Sequence, residues 1–118
     1  MILKGAWQSF LLRIRSEFAV SDYSIYYGDG VQMLHSTGRQ LPNITLERYL
    51  SFEKTVVESD RTECRMVTRF LVDSTVYLLA LYSSDPNGFS ENETEYILHD
   101  ISALQEKLRH DNGKEDEN

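Results

Sequence analysis

One cysteine, Cys64, is all the thiol chemistry this chain has. A lone cysteine forms no internal disulfide, no zinc-ligating pair and no redox couple, which points to a reducing compartment and hence to the cytoplasm. Prolines number two and glycines six; that is far from a low-complexity composition, and no P-loop or dinucleotide fingerprint is present to cradle a phosphate. No run of about 18 apolar residues occurs, so no membrane insertion is expected. Residues 1–15 alternate apolar with polar side chains, unlike the unbroken apolar stretch of a secretory signal. Basic residues are outnumbered, 12 Lys and Arg against 19 Asp and Glu, for a formal charge of -7. Nucleic-acid binding rests on Lys and Arg displacing counterions from phosphates, so neither DNA nor RNA is an expected partner. The three histidines, His35, His99 and His110, are scattered, and none has a second His or Cys at helical ligand spacing; no metal and no cofactor is expected. With no nucleophile elbow or other catalytic set, the chain does not read as an enzyme.

What is present suits one folded unit. The chain has 118 residues, 41% of them hydrophobic and 11% aromatic, enough for a domain of this size to bury a real core. Residues 1–110 read as a single domain. From Asp111 to Asn118 nothing apolar remains and acids outnumber the one lysine, so 111–118 reads as a disordered acidic tail.

Trp7, Phe10, Leu11, Ile14 and Phe18 recur at helical spacing and predict an amphipathic first helix. Ser24–Tyr27 and Val31–His35 are β-rich runs around Gly28-Asp29-Gly30, a hairpin signal. Thr45 is placed to cap a middle helix carrying Leu46, Tyr49, Leu50 and Val57. Residues 64–71 alternate Arg65, Val67 and Arg69 with Cys64, Met66, Thr68 and Phe70, and Asp73-Ser74 separates them from the apolar run Val76–Tyr82. This predicts a second hairpin, its first strand edge-like and its second buried. After the turn Asp85-Pro86-Asn87-Gly88, Ser90 and Glu93 stand at capping-box spacing. They open a helix with Ile97, Ile101, Leu104 and Leu108 on one face that ends near His110. The fold class expected is α+β: an antiparallel sheet with the N- and C-terminal helices packed on one face and the middle segment across the other face or at its edge.

The space between sheet and middle segment is where a pocket belongs. Tyr26, Met33, Tyr49, Phe52 and Tyr77 are the side chains selected to line it, each large and several carrying a hydroxyl that needs a partner; aromatics are equally at home in ordinary strands. Arg65 and Arg69, at i and i+4 on one strand face, suit an anionic ligand or, alternatively, solvated charges that blunt a sheet edge. The stripes Trp7, Phe10, Leu11, Ile14, Phe18 and Ile97, Ile101, Leu104, Leu108 are joined by Ile2, Leu3, Leu12 and Leu98. Apolar surface beyond one narrow stripe predicts a homodimer through the two terminal helices.

The run Val76-Tyr77-Leu78-Leu79-Ala80-Leu81-Tyr82-Ser83-Ser84, followed after a turn by Phe89-Ser90-Glu91-Asn92-Glu93 and an amphipathic helix, resembles the closing strand and helix of GAF domains. The first helix feeding Tyr23-Ser24-Ile25-Tyr26-Tyr27 and a glycine-containing hairpin is similar to the opening of that fold. The resemblance implies a PAS- or profilin-like sheet and a role in sensing or signal transduction, through a small ligand, a protein partner or a homodimer. It implies no tetrapyrrole attachment, because Cys64 is followed by Arg65 and not by a histidine. It implies no methionine sulfoxide reduction, which needs more than one thiol. The Asn-Lys-Phe-Asp-Glu signature of cyclic-nucleotide binders is missing. The expectation is a non-catalytic regulatory or sensory module that binds a small ligand, a partner protein or both. The alternative is a roadblock- or profilin-like scaffold or adaptor with no pocket.

Overall fold

The computed structural model describes residues 5–28, 32–41 and 55–116, with side chains through His110. In chain order the elements are helix α1 (Gly5–Glu17), strands β1 (Asp22–Tyr27), β2 (Gln32–Ser36), β3 (Val56–Ser59), β4 (Cys64–Val72) and β5 (Thr75–Ser83), and helix α2 (Glu91–Asp116). The class is α+β. The five strands form one antiparallel sheet in the order β2-β1-β5-β4-β3, so the long apolar strand β5 lies at its centre.

Local chemistry explains the turns. Asp73, at φ 55°, occupies the left-handed position of the β4–β5 turn, which a short polar side chain tolerates at little cost. Gly88 lies against Ser83, and any β-carbon at that position would collide with the Ser83 Oγ. The Asp85 carboxylate accepts from the Asn87 amide at 2.9 Å, which holds the same turn. Ser90 then caps α2, its Oγ accepting from the Glu93 amide at 3.2 Å, as the capping-box spacing predicts.

Strand alternation divides the apolar residues between two faces. Face one carries Tyr23, Ile25, Cys64, Met66, Phe70, Val72, Leu79 and Leu81, and both helices lie on it. Trp7 sits at its centre, 6.1 Å from Phe10 edge to face, 6.0 Å from Phe70 and 5.8 Å from Tyr77. The helices lie side by side, and Arg13 of α1 reaches Asp100 of α2 at 3.4 Å. Face two carries Tyr26, Val67, Leu78, Ala80 and Tyr82, with Leu41, Met33 and Val56 packed on them.

Three expectations are corrected. Val57, read as the end of a middle helix, belongs to strand β3, where it pairs with Met66; two consecutive β-branched valines favour the strand. Thr45, Leu46, Tyr49 and Leu50, the rest of that helix, lie outside the described residues. Because β3 pairs with β4, β4 is an interior strand and not the edge. Lastly, α2 runs on to Asp116, past the helix end expected near His110. Once the buried turns of a helix are formed, each further residue adds a hydrogen bond without a new nucleation cost.

Candidate binding face

Face one is covered by the helices; the arginine–carboxylate pairs of the sheet lie on face two. Its strands bring three rows together. Arg69 stands opposite Leu78, Leu78 opposite Tyr26 and Tyr26 opposite Met33. Val56, Val67, Ala80 and Ser24 form the second row, and Glu58, Arg65, Tyr82 and Asp22 the third.

The third row is closed by bonds. Tyr82 is buried, its hydroxyl 3.3 Å from the Ser24 Oγ, and burial pushes its phenol above the usual 10. Arg39, on the chain leaving β2, lies over the Tyr82 ring at 4.2 Å from the guanidinium carbon to the ring centre. The same guanidinium donates to both carboxylate oxygens of Glu63, Nη2 to Oε1 at 2.8 Å and Nη1 to Oε2. Arg65 donates to Glu58 across β3 and β4 at 2.9 Å. Two residues past Arg39 the chain is pinned again, where the buried Leu41 amide donates to the Tyr26 hydroxyl at 2.7 Å.

The loop between β3 and β4 is organised by Asp60, whose carboxylate accepts from the amides of Thr62 and Glu63 and from the Thr62 hydroxyl at 2.7–2.9 Å. Those bonds hold the Asp60 carboxyl below its ordinary range, the Thr62 amide first among them. The hydrogen bond from Arg39 holds the Glu63 carboxyl below its usual 4.5, outweighing partial burial. A carboxyl depressed by folding contributes stability that is complete above its unfolded value and is lost as pH falls through the lower, folded one. Glu63→Gln is therefore expected to melt below the wild type at pH 7, with the difference shrinking as pH drops beneath 4.5. Melting curves of the two proteins across that range check it; a difference independent of pH contradicts it.

Of the side chains selected from the sequence, Tyr26, Met33, Arg65 and Arg69 share face two. Tyr77 does not: it lies on the helix side, stacked on Phe70 at 5.6 Å and beside Trp7. It pairs with Tyr27 and Phe70, one step out of phase with Tyr26 and Leu78, and one step along a strand exchanges the faces. Tyr49 and Phe52 lie outside the described residues. The edge-blunting reading of Arg65 is also corrected, since that residue is bonded within the sheet to Glu58.

Of the nine residues named for a helix-mediated dimer contact, eight are buried within the chain and Phe18 is partly buried. Trp7, Phe10, Leu11, Ile14, Ile97, Ile101, Leu104 and Leu108 are buried against the sheet and Phe18 packs at the margin of the same cluster. Among the described residues the large apolar side chains exposed on the helices are Leu12 at 74% and Tyr96 at 67%.

Sequence reading missed Ser24, Arg39, Leu41, Glu63 and Tyr82. Tyr82 carried a signal, since it shares the parity of Leu78 on β5. The pairing of Arg39 with Glu63 joins residues 24 positions apart, and nothing local announces it.

Among the described residues this arrangement orients and pairs polar groups. Cys64 is buried on face one. His35 stacks on Tyr23, whose hydroxyl meets its Nδ1 at 2.8 Å. Among the described residues no group of three His, Cys, Asp or Glu side chains converges to hold a metal, and no helix is long and apolar enough to cross a membrane. Compared with known proteins, the chain matches no family model and no curated protein.

Proposed function

We propose that this chain is a non-catalytic regulatory module whose working surface is face two of the sheet, where a small ligand is received and its presence passed to a partner protein. The observation that supports this reading most is the division of labour between the faces. One is a largely apolar core under two helices, in which Thr68 and the Tyr23–His35 pair are polar members. The other holds two arginines bonded to carboxylates, a third arginine, and two tyrosine hydroxyls bonded to Ser24 and to the Leu41 amide. Charged and polar groups are costly to shield from water and add little to a core that aliphatic residues would fill. A binding function accounts for their collection on one side. The GAF resemblance of the closing strand and helix supports the same reading.

A second reading, a scaffold or adaptor without a pocket, is favoured by one specific observation: Ser24, Val67, Leu78, Ala80 and Tyr82 are all at most 2% exposed. A thermal-shift panel of amino acids, nucleotides, tetrapyrroles and common metabolites separates the two. A ligand at about 100 times its dissociation constant stabilises the native state by roughly 2.7 kcal/mol. The regulatory reading expects a saturable rise in melting temperature with at least one class; no rise across the panel supports the scaffold.

A further inference from the structure

Asparagine followed by glycine occurs twice in the chain, at Asn87-Gly88 and at Asn112-Gly113. In that dipeptide the glycine nitrogen can approach the asparagine carboxamide with no side chain of its own in the way, and asparagine is among the thermolabile residues. The first pair sits in the turn that joins β5 to α2. Its glycine is fixed by packing, since a β-carbon at Gly88 would collide with the Ser83 side chain. The space that demands glycine there also gives Asn87 its least hindered neighbour.

The two groups that could react are held differently. Asn87 is exposed, and Gly88 is buried. The Gly88 N–H donates to the Asp85 carbonyl at 2.9 Å, and the Asp85 carboxylate accepts from the Asn87 amide at 2.9 Å. Asp85 is tied in turn, its own amide donating to the Ser83 Oγ at 3.2 Å. A backbone nitrogen becomes a nucleophile only after losing its hydrogen, and here that hydrogen is engaged. The turn has to open before the pair can react.

The reaction is an internal cyclisation followed by hydrolysis. The Gly88 nitrogen, its hydrogen given up to hydroxide, attacks the Asn87 Cγ; a bond from that nitrogen to Cγ forms, the carboxamide C–N bond breaks, and ammonia leaves. Water then opens the cyclic imide at either carbonyl. Opening at Cγ restores the ordinary backbone with aspartate at 87. Opening at the main-chain carbonyl leaves the chain running through the former side chain, an isoaspartate with one extra methylene in the backbone. Nothing is oxidised or reduced, and either product carries a new negative charge.

We propose that Asn87 is a modification site of this protein, converted without an enzyme to aspartate and isoaspartate at a rate set by the opening of the Asp85 turn, and that the isoaspartyl form loosens the joint between β5 and α2. The second half follows from how tightly the turn fits. Gly88 lies between Ser83 and the Asp85 carbonyl, Phe89 beyond it is buried, and Ser90 caps α2. An added backbone atom has no slack to take up.

The test follows the full chain in mildly alkaline buffer by peptide mapping with mass spectrometry, which reads amide-to-acid conversion at Asn87 separately from Asn112 and resolves isoaspartate from aspartate. The samples are the folded wild type, the wild type unfolded in guanidinium chloride, Asp85→Ala, Asn87→Gln and Asn87→Asp. One net hydrogen bond is worth about fivefold in an equilibrium, and two close the turn, so Asn87 is expected to convert roughly 25-fold more slowly in the folded chain than in the unfolded one. Asp85→Ala removes the carboxylate, keeps the carbonyl, and is expected to convert about fivefold faster than the folded wild type, with the rate at Asn112 unchanged. Asn87→Gln is expected to show no conversion at that position. The isoaspartyl protein is expected to melt several degrees below Asn87→Asp, which carries the same charge on an ordinary backbone. Equal rates at Asn87 in the folded and unfolded wild type overturn the control by the turn, and that comparison needs no variant. An Asp85→Ala rate at or below the wild type overturns it as well. An Asn87 that stays intact in folded wild type and folded Asp85→Ala alike, while it converts in the unfolded chain, removes the site from the folded protein. Isoaspartyl and Asn87→Asp proteins that melt together overturn the loosening of the joint.

Discussion

Trp7→Ala is expected to cost about 3–5 kcal/mol of folding stability. Trp7 is 1% exposed, and its ring meets Phe10 from its own helix and Phe70 and Tyr77 from the sheet. It joins α1 to both β4 and β5. Truncation removes the transfer energy of the indole and leaves a cavity whose walls are two strands and a helix. Phe70 and Tyr77 are already stacked on each other and have little freedom to collapse into it. A domain of this size holds roughly 5–15 kcal/mol in total, so the variant sits close to the limit of folding. Urea unfolding measures it: a midpoint lowered in proportion, with the slope unchanged, is the expected result. A loss below about 1 kcal/mol would contradict the packing described for face one.

Tyr82→Ala is expected to cost a similar amount, about 3–5 kcal/mol, from the opposite face. The ring is buried at the end of β5, carries Arg39 on one side and holds Ser24 through its hydroxyl. Truncation also takes away the surface on which Arg39 lies while that arginine remains bonded to Glu63. Tyr82→Phe isolates the smaller part. It keeps the ring and the cation above it, removes one hydroxyl, and is expected to cost about 1 kcal/mol, the usual net worth of a hydrogen bond. The difference between the two variants, read from the same urea curves, measures ring packing against hydrogen bonding. Equal losses in the two would mean that the hydroxyl, and not the packing, holds this face together.

Periodicity carried most of the architecture. The stripe Trp7, Phe10, Leu11, Ile14 and the stripe Ile97, Ile101, Leu104, Leu108 are buried as a 3.6-residue period requires, and the alternation of Cys64, Met66, Thr68 and Phe70 with Arg65, Val67 and Arg69 is the alternation of the two faces of β4. The cap at Ser90 was legible because capping is local. Phase between strands was not legible. Tyr77 and Tyr26 look alike in sequence, and only the register between β1 and β5 puts one under the helices and the other on face two. The same limit explains β3: four residues are too few to show a period, and a neighbouring helical pattern absorbed Val57. Sequence does not say how wide a stripe the sheet covers: among the described residues Leu98 packs at the margin of the core while Leu12 stays 74% exposed. The candidate site was legible in its strand residues and not in its long-range pairs, since Arg39 and Glu63 come from two connections that only the folded sheet brings together.

The most direct test of face two as the working surface is an amide chemical-shift map recorded while the best compound from the thermal-shift panel is titrated in. The account predicts the largest changes at Ser24, Tyr26, Val67, Arg69, Leu78 and Ala80, with α1 and the outward side of α2 unmoved. Changes confined to the helices, or no saturable change at any amide, would contradict it.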